Sequence, residues 1–248
     1  MSLRFHEIAE TGQRILNPFT EEKLMLLGEI CGLRAGMTQL DLACGKGEML
    51  CRWAAHFGIT GTGVDISSVF LAAASARAQE LGVAGLLAFV QGDAGQYAPP
   101  AGQMFDIVSC IGATWIGNGL AGTLALMRPA LKSGGRLLVG EPYWIDSPPA
   151  EAYAALGVRP DDFATLASTL DRFEAAGLEL VEMVLANPDS WDRYEASQWL
   201  TLDAWLRSHP DDPDAPALRE WFHANRRAYL TYGRRYLGWG VFVLRPAG

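Results

Sequence analysis

Charge, cysteine and long apolar runs are all scarce in this chain, and each scarcity removes a class of function. Charged residues make up only 19% of the 248, and 20 Lys plus Arg against 28 acids leave a net charge of −8. Nucleic-acid binders draw much of their affinity from neutralising phosphates, so an acidic chain without a basic run is expected to bind no nucleic acid. Association with an anionic membrane surface is disfavoured on the same ground. No window approaches the roughly 20 uninterrupted apolar residues of a membrane span, and "MSLRFHEIAETGQR" lacks the apolar centre of a signal peptide. A soluble protein is expected. The four cysteines, Cys31, Cys44, Cys51 and Cys110, form no CxxC pair, and the four histidines are scattered, so no metal site is expected. Cysteines without evident partners in a chain of this length fit a reducing cytoplasm.

What the chain does have is apolar content, 50% of its residues, enough for one sizeable domain over 1–248. Between 37 and 145, short apolar runs alternate with helical stretches. "TQLDLAC" (38–44), "TGTGVDI" (60–66), "GLLAFVQGD" (85–93), "MFDIVSCIG" (104–112) and "RLLVGEP" (136–142) read as strands. Helices are expected at 46–57, 67–82 and 118–132. Such alternation implies βαβ units and a parallel sheet covered on both faces. Further on, a helix at 161–176 precedes a sixth strand, "LELVEMVLA" (178–186), and "WGVFVLRP" (239–246) makes a seventh. Between these two lie residues 187–238, which parse as two amphipathic helices joined by the Pro- and Asp-rich loop 209–216. The expected architecture is α/β: a Rossmann-like, doubly wound, seven-stranded and mostly parallel sheet. Its core spans 37–186 and 239–246, with a helical cover at 1–36 and a helical insert or lid at 187–238.

The stretch "LDLACGKGEML" (40–50) is where a ligand would approach the backbone closely. A phosphate-binding P-loop requires GxxxxGK[ST], which is absent. A dinucleotide fingerprint requires GxGxxG; Gly45 and Gly47 are present, but Leu50 stands in the third small position. A nicotinamide-dependent oxidoreductase therefore survives only as an alternative. The third candidate is S-adenosylmethionine. Here the chain resembles the class I methyltransferases, strand by strand through 37–145. Their first motif is a strand ending in an acid followed by small residues, as Asp41, Ala43, Cys44, Gly45 and Gly47 are here; Ala43 stands where Gly is commoner, adding a methyl group to the loop. Asp65, 18 positions after Gly47, matches the acid ending strand two. "QGDA" and "FDIVSCIGAT" match the third and fourth motifs.

The resemblance implies S-adenosylmethionine as cofactor, with the first loop beneath its methionine and ribose. Asp65 would accept from both ribose hydroxyls, Ile66 would lie on the adenine face, Asp93 would accept from the adenine amino group beside Ala94, and Cys110 and Ile111 would approach the methionine end. Each acid also has a purely structural reading: Asp41 and Asp65 as helix caps, Asp93 as a turn residue. Cys44 and Cys110 read as packing residues rather than nucleophiles, and no residue is assigned a catalytic role, since the chemistry demands alignment more than acid–base help. A non-catalytic cofactor-binding protein is the other alternative.

The NPPY/DPPY tetrapeptide of nucleic-acid amino-methylating enzymes is absent, which points to a small-molecule methyl acceptor. Its expected contacts are Trp115 after strand four, Glu141, Tyr143 and Trp144 after strand five, Trp191, Arg193 and Tyr194 from the insert, and Arg14 and Asn17 from the N-terminal segment. "NPFTEEK", "GATWIG", "GEPYW" and "WDRYEA" are similar to a bacterial subgroup of small-molecule methyltransferases.

Overall fold

In the computed structural model, which describes residues 2–248, residue 1 of the expected 1–36 cover lies outside the described part. Helix α1 (Leu3–Ala9) is capped by the Ser2 hydroxyl, which accepts from the Phe5 amide; α2 (Glu21–Ile30) is capped in the same way by Thr20. The chain then runs through β1 (Thr38–Leu42), α3 (Glu48–Phe57), β2 (Thr60–Asp65) and α4 (Ser68–Glu80), with Ser67 as N-cap. Strands β3 (Leu87–Gln91) and β4 (Phe105–Ile111) follow, then a 3-10 turn, Thr114–Gly117, and α5 (Leu120–Met127). Next come β5 (Leu131–Trp144), α6 (Ala150–Leu156), α7 (Leu166–Ala175) and β6 (Leu178–Leu185). Helices α8 (Pro188–Ser208) and α9 (Ala215–Ala228) precede β7 (Leu237–Pro246).

The strands form one seven-stranded sheet in the order β3-β2-β1-β4-β5-β7-β6. It is parallel except for β7, which runs antiparallel to both β5 and β6. This is the expected Rossmann-like, mostly parallel sheet with helices inserted before its last strand. Side chains alternate between its faces. Val108, Leu137, Val139, Phe242 and Leu244 pack under α5 and α7, with Phe173 fully buried. Ile107, Leu138, Val241 and Val243 pack on the other side against α2 and α3, around Trp53, whose indole N–H donates to the Leu24 carbonyl at 3.0 Å.

Several boundaries differ from expectation. The helix expected over 118–132 stops at Met127 and ends in a 3-10 turn at Arg128–Ala130, because Pro129 has no N–H to continue the ladder. "KSGG", expected as the approach to strand five, lies inside β5 as a bulge: Phe105 pairs with Leu131 and Ile107 with Arg136. Helix α6 is an addition, and α7 begins at Leu166 rather than 161. After α9 a π-helical turn, Tyr229–Gly233, leads to β7, which starts two residues early.

The N-terminal helix and the insert are not separate additions. Ala9 of α1 packs with Leu202, Leu206, Leu218 and Phe222 of α8 and α9 in a third apolar cluster, bordered by Trp199, Trp205 and Trp221. Four of the insert's nine Trp, Tyr and Phe residues, Trp199, Trp205, Trp221 and Phe222, are used there. Among the described residues, no helix is long and apolar enough to cross a membrane.

Candidate functional site

A cavity of about 1150 Å³ opens at the carboxyl ends of β1, β2 and β4, with the N-terminal segment and α8 above it. Its floor begins with Asp41, Ala43, Cys44 and Gly45. Asp41 is 3% exposed; the Ser109 hydroxyl donates to its Oδ1 at 2.6 Å, while burial pushes its carboxyl up to about 7. Gln39 in turn donates to the Ser109 oxygen at 2.9 Å, so a chain of buried side chains fixes the acid. Ala43 sits at φ 57°, the left-handed region, which costs a non-glycine residue about 1–2 kcal/mol. The departure from glycine here therefore strains the backbone as well as adding a methyl group. Cys44 packs against Gly63, and burial holds its thiol well above the ordinary range, so it remains protonated. Gly45, at φ 54°, leaves room for Leu16 to cross above the loop: a Cβ there would lie 2.8 Å from Leu16 Cδ1. Gly47 is the N-cap of α3 and is not in the cavity wall.

Asp65 closes β2. The Gly45 amide donates to its Oδ2 at 2.8 Å and the Ser67 amide to its Oδ1 at 2.9 Å. A carboxylate accepts up to about four hydrogen bonds, so the two amides lock its orientation and leave one lone pair free on each oxygen. Ile66, 58% exposed, and Trp115, 71% exposed, present apolar surface to the cavity. Asp93 lines it too, as an exposed residue accepting from the Gly95 amide (2.8 Å) and the Gln96 side chain (2.7 Å), beside buried Ala94. At the end of β4, Ile111 faces the cavity but Cys110 does not. Strand alternation sends Cys110 to the opposite side, into the core beneath α5.

The same alternation corrects the contacts expected from β5. Glu141 and Tyr143 share the parity of Leu137 and Val139 and point away from the cavity. Glu141 is 2% exposed and accepts from the Thr114 hydroxyl at 2.7 Å; burial pushes it up to about 7. Tyr143 packs against Gly238. Trp144 turns beneath α6, edge-on to Tyr153 and Phe163. It is Pro142, between them, that reaches the cavity. On α8, Trp191, Tyr194 and Gln198 recur at helical spacing and line the cavity, whereas Arg193 falls on the exposed face. Arg14 and Asn17 both line it. Asn17 lies over Gly112, whose φ of 78° and lack of a Cβ allow the approach; Arg14 spends its guanidinium on Glu80 at 3.0 Å.

Four further cavity residues, Glu10, His6, Lys46 and Trp239, were not anticipated. Lys46, between the two loop glycines, donates to the carbonyls of Glu10 (2.7 Å), Thr11 (3.2 Å) and Gln13 (2.6 Å), tying the segment after α1 to the loop after β1. Lys46→Met should free that segment: hydrogen exchange over residues 10–17 is expected to speed up at least about tenfold, the equivalent of one charged hydrogen bond, with the sheet unchanged. Of the basic groups in the wall, Lys46 and Arg14 are thus committed, and burial lowers the His6 pKa. With Glu10, Asp41, Asp65 and Asp93 in the same wall, the cavity is built for a ligand that is neutral or cationic, and offers little to a pyrophosphate. Among the described residues, no cluster of three or more His, Cys, Asp or Glu could hold a metal.

The family model described as "Methyltransferase domain" matches residues 40–135. The chain is 47% identical over 243 residues to the uncharacterized protein YjhP of Escherichia coli (strain K12), covering 97% of each. It also resembles two solved SAM-dependent methyltransferases, each in complex with S-adenosyl-L-homocysteine. The one from Geobacter sulfurreducens has 45% identity and a TM-score of 0.94, with 99% of this chain and 98% of that one covered. The one from Thiobacillus denitrificans has 44% identity and a TM-score of 0.93, with 99% of both covered.

Proposed function

The chain belongs to the S-adenosylmethionine-dependent methyltransferases, and from that premise we propose that it methylates a small-molecule acceptor enclosed between the loop after β1 and the roof formed by the N-terminal segment and α8. The observation that carries this reading is the cavity itself. Its volume of about 1150 Å³ lies just above the ~300–1,000 Å³ that holds one drug-sized ligand, which suits a cofactor and a modest partner. Its roof suits neither a duplex nor a protein surface, and the net charge of −8 disfavours nucleic acid. Free cysteines throughout the described residues fit a cytoplasmic enzyme.

The bound cofactor supplies an activated methyl group on a sulfonium. The chain's task is to hold, orient and dry the site. Asp65, fixed by two backbone amides, offers its remaining lone pairs to a pair of ribose hydroxyls. Ile66 and Trp115 would hold the flat base, with Asp93 and Ala94 available to its edge. Asp41, set by Ser109 and Gln39, would hold the methionine end together with Ile111. Asn17, Trp191 and Tyr194 close the cavity from above and exclude water.

S-adenosylhomocysteine tests this reading against NAD. A ligand at 100 times its dissociation constant stabilises the native state by about 2.7 kcal/mol, or roughly 5–11 °C for a chain of this size. That shift is expected with S-adenosylhomocysteine, and none with NAD. A shift with NAD alone would sink the assignment. A methyl-transfer screen over amines, phenols, thiols and carboxylates then identifies the acceptor.

A further inference from the structure

We propose that Glu10 recognises the methyl acceptor, its unpaired Oε2 binding an N–H or O–H group of a small amine or phenol. The inference rests on the methyl-transfer reading and adds the acceptor's chemical class. Glu10 follows α1, is 1% exposed and lines the cavity. Its Oε1 accepts from the Tyr194 hydroxyl at 2.7 Å, but its Oε2 is buried with no partner. A buried carboxylate oxygen left unmatched is costly, and native proteins rarely keep one without a purpose.

The charged and hydroxyl neighbours of Glu10 leave that oxygen without a donor. Lys46 is the closest cation, yet its three protons serve the main-chain oxygens of Glu10, Thr11 and Gln13. Tyr194 has one proton and gives it to Oε1. The other ionisable group beside it on α8, Glu195, is half-buried and takes the Trp191 indole N–H at 3.3 Å, so it is an acceptor and supplies no cation to Glu10. Burial pushes the Glu10 carboxyl up to about 7. Trp191 and Tyr194 add ring faces in the same wall, favourable to a cation or a flat ring. An anionic acceptor would meet two acids with no uncommitted cation to offset them.

The test uses the full chain saturated with S-adenosylhomocysteine, with tyramine, histamine and phenol as probes and benzoate as the anionic control. At least one of the three donors is expected to raise the melting temperature beyond the cofactor product's own shift, and benzoate to add nothing. In Glu10→Gln the shift from S-adenosylhomocysteine should stay, while the affinity of that donor falls at least tenfold, as befits one charge-assisted hydrogen bond. Glu10→Asp, which keeps the charge but withdraws the oxygen by one methylene, gives the same discrimination should the amide variant fail to fold. The proposal is overturned if no donor binds, if benzoate binds as well, or if Glu10→Gln leaves the donor's affinity unchanged. It is also overturned if Glu10→Gln abolishes the S-adenosylhomocysteine shift, which would assign the carboxylate to the cofactor's ammonium group. Absence of that shift in the wild type would instead remove the methyl-transfer reading.

Discussion

Asp65→Ala is expected to weaken S-adenosylhomocysteine binding at least ~100-fold in a calorimetric titration. The two ligand hydrogen bonds assigned to this carboxylate are charge-assisted, and such bonds contribute about 1.5–3 kcal/mol each. Losing both costs about 3 kcal/mol or more, which is over two decades of affinity. The alanine also releases the Gly45 and Ser67 amides that now donate to the carboxylate, so the loop after β1 keeps the Cys44 amide's bond to the Val64 carbonyl but loses its side-chain tether to the end of β2. Asp65→Asn separates the two effects. Its amide keeps the size but turns an N–H₂ toward one of those backbone donors, so it should bind more weakly than wild type and more tightly than alanine. An affinity loss below threefold in Asp65→Ala would contradict the assignment.

The largest loss of stability is expected from Gly122→Ala, a residue that does not itself line the cavity. A Cβ at 122 would overlap the carbonyl oxygen of Gly117, and one at 117 would overlap the backbone of Thr123. The two glycines are where α5 presses backbone to backbone on the 3-10 turn that carries Trp115 and Ile116 into the cavity. Overpacking ordinarily costs about 1–3 kcal/mol, and no flexible side chain is available here to yield. A cost near the upper end corresponds to a melting temperature lower by roughly 6–12 °C, with S-adenosylhomocysteine affinity reduced because the turn must move. Gly85→Ala is the control: a Cβ there meets nothing within 4 Å. Equal thermal stability of the two variants would show that the contact yields easily.

How much of this could be read from the chain alone depended on whether the signal was local. Asp41, Asp65 and Asp93 each follow an apolar run, and a strand end followed by small residues is a pattern a short window contains. The sheet and its insertion were legible for the same reason. Glu141 and Tyr143 were misplaced because proximity to a strand end says nothing about which face a side chain takes. Counting in twos from buried Leu137 and Val139 would have placed them inside. Arg193 was misplaced through the analogous helical count from Trp191. Glu10 and His6 carried no local signal at all. They reach the cavity because Ala9 is seated on Leu202 and Leu206, a contact spanning nearly 200 positions.

The position of β7 bears on how the chain reaches its native state. The last strand in chain order lies in the sheet interior, pairing with β5 from Leu137 to Trp144 and with β6 from Leu178 to Leu185. Until residues 237–246 leave the ribosome, β5 and β6 each show a bare edge, and edges of this kind invite intermolecular pairing. During synthesis β1 to β5 can assemble ahead of the rest, while β6 waits for its only neighbour. The half-made protein is therefore exposed to aggregation at β5 for about as long as it takes to translate α6 through α9, and at β6 for the time of α8 and α9.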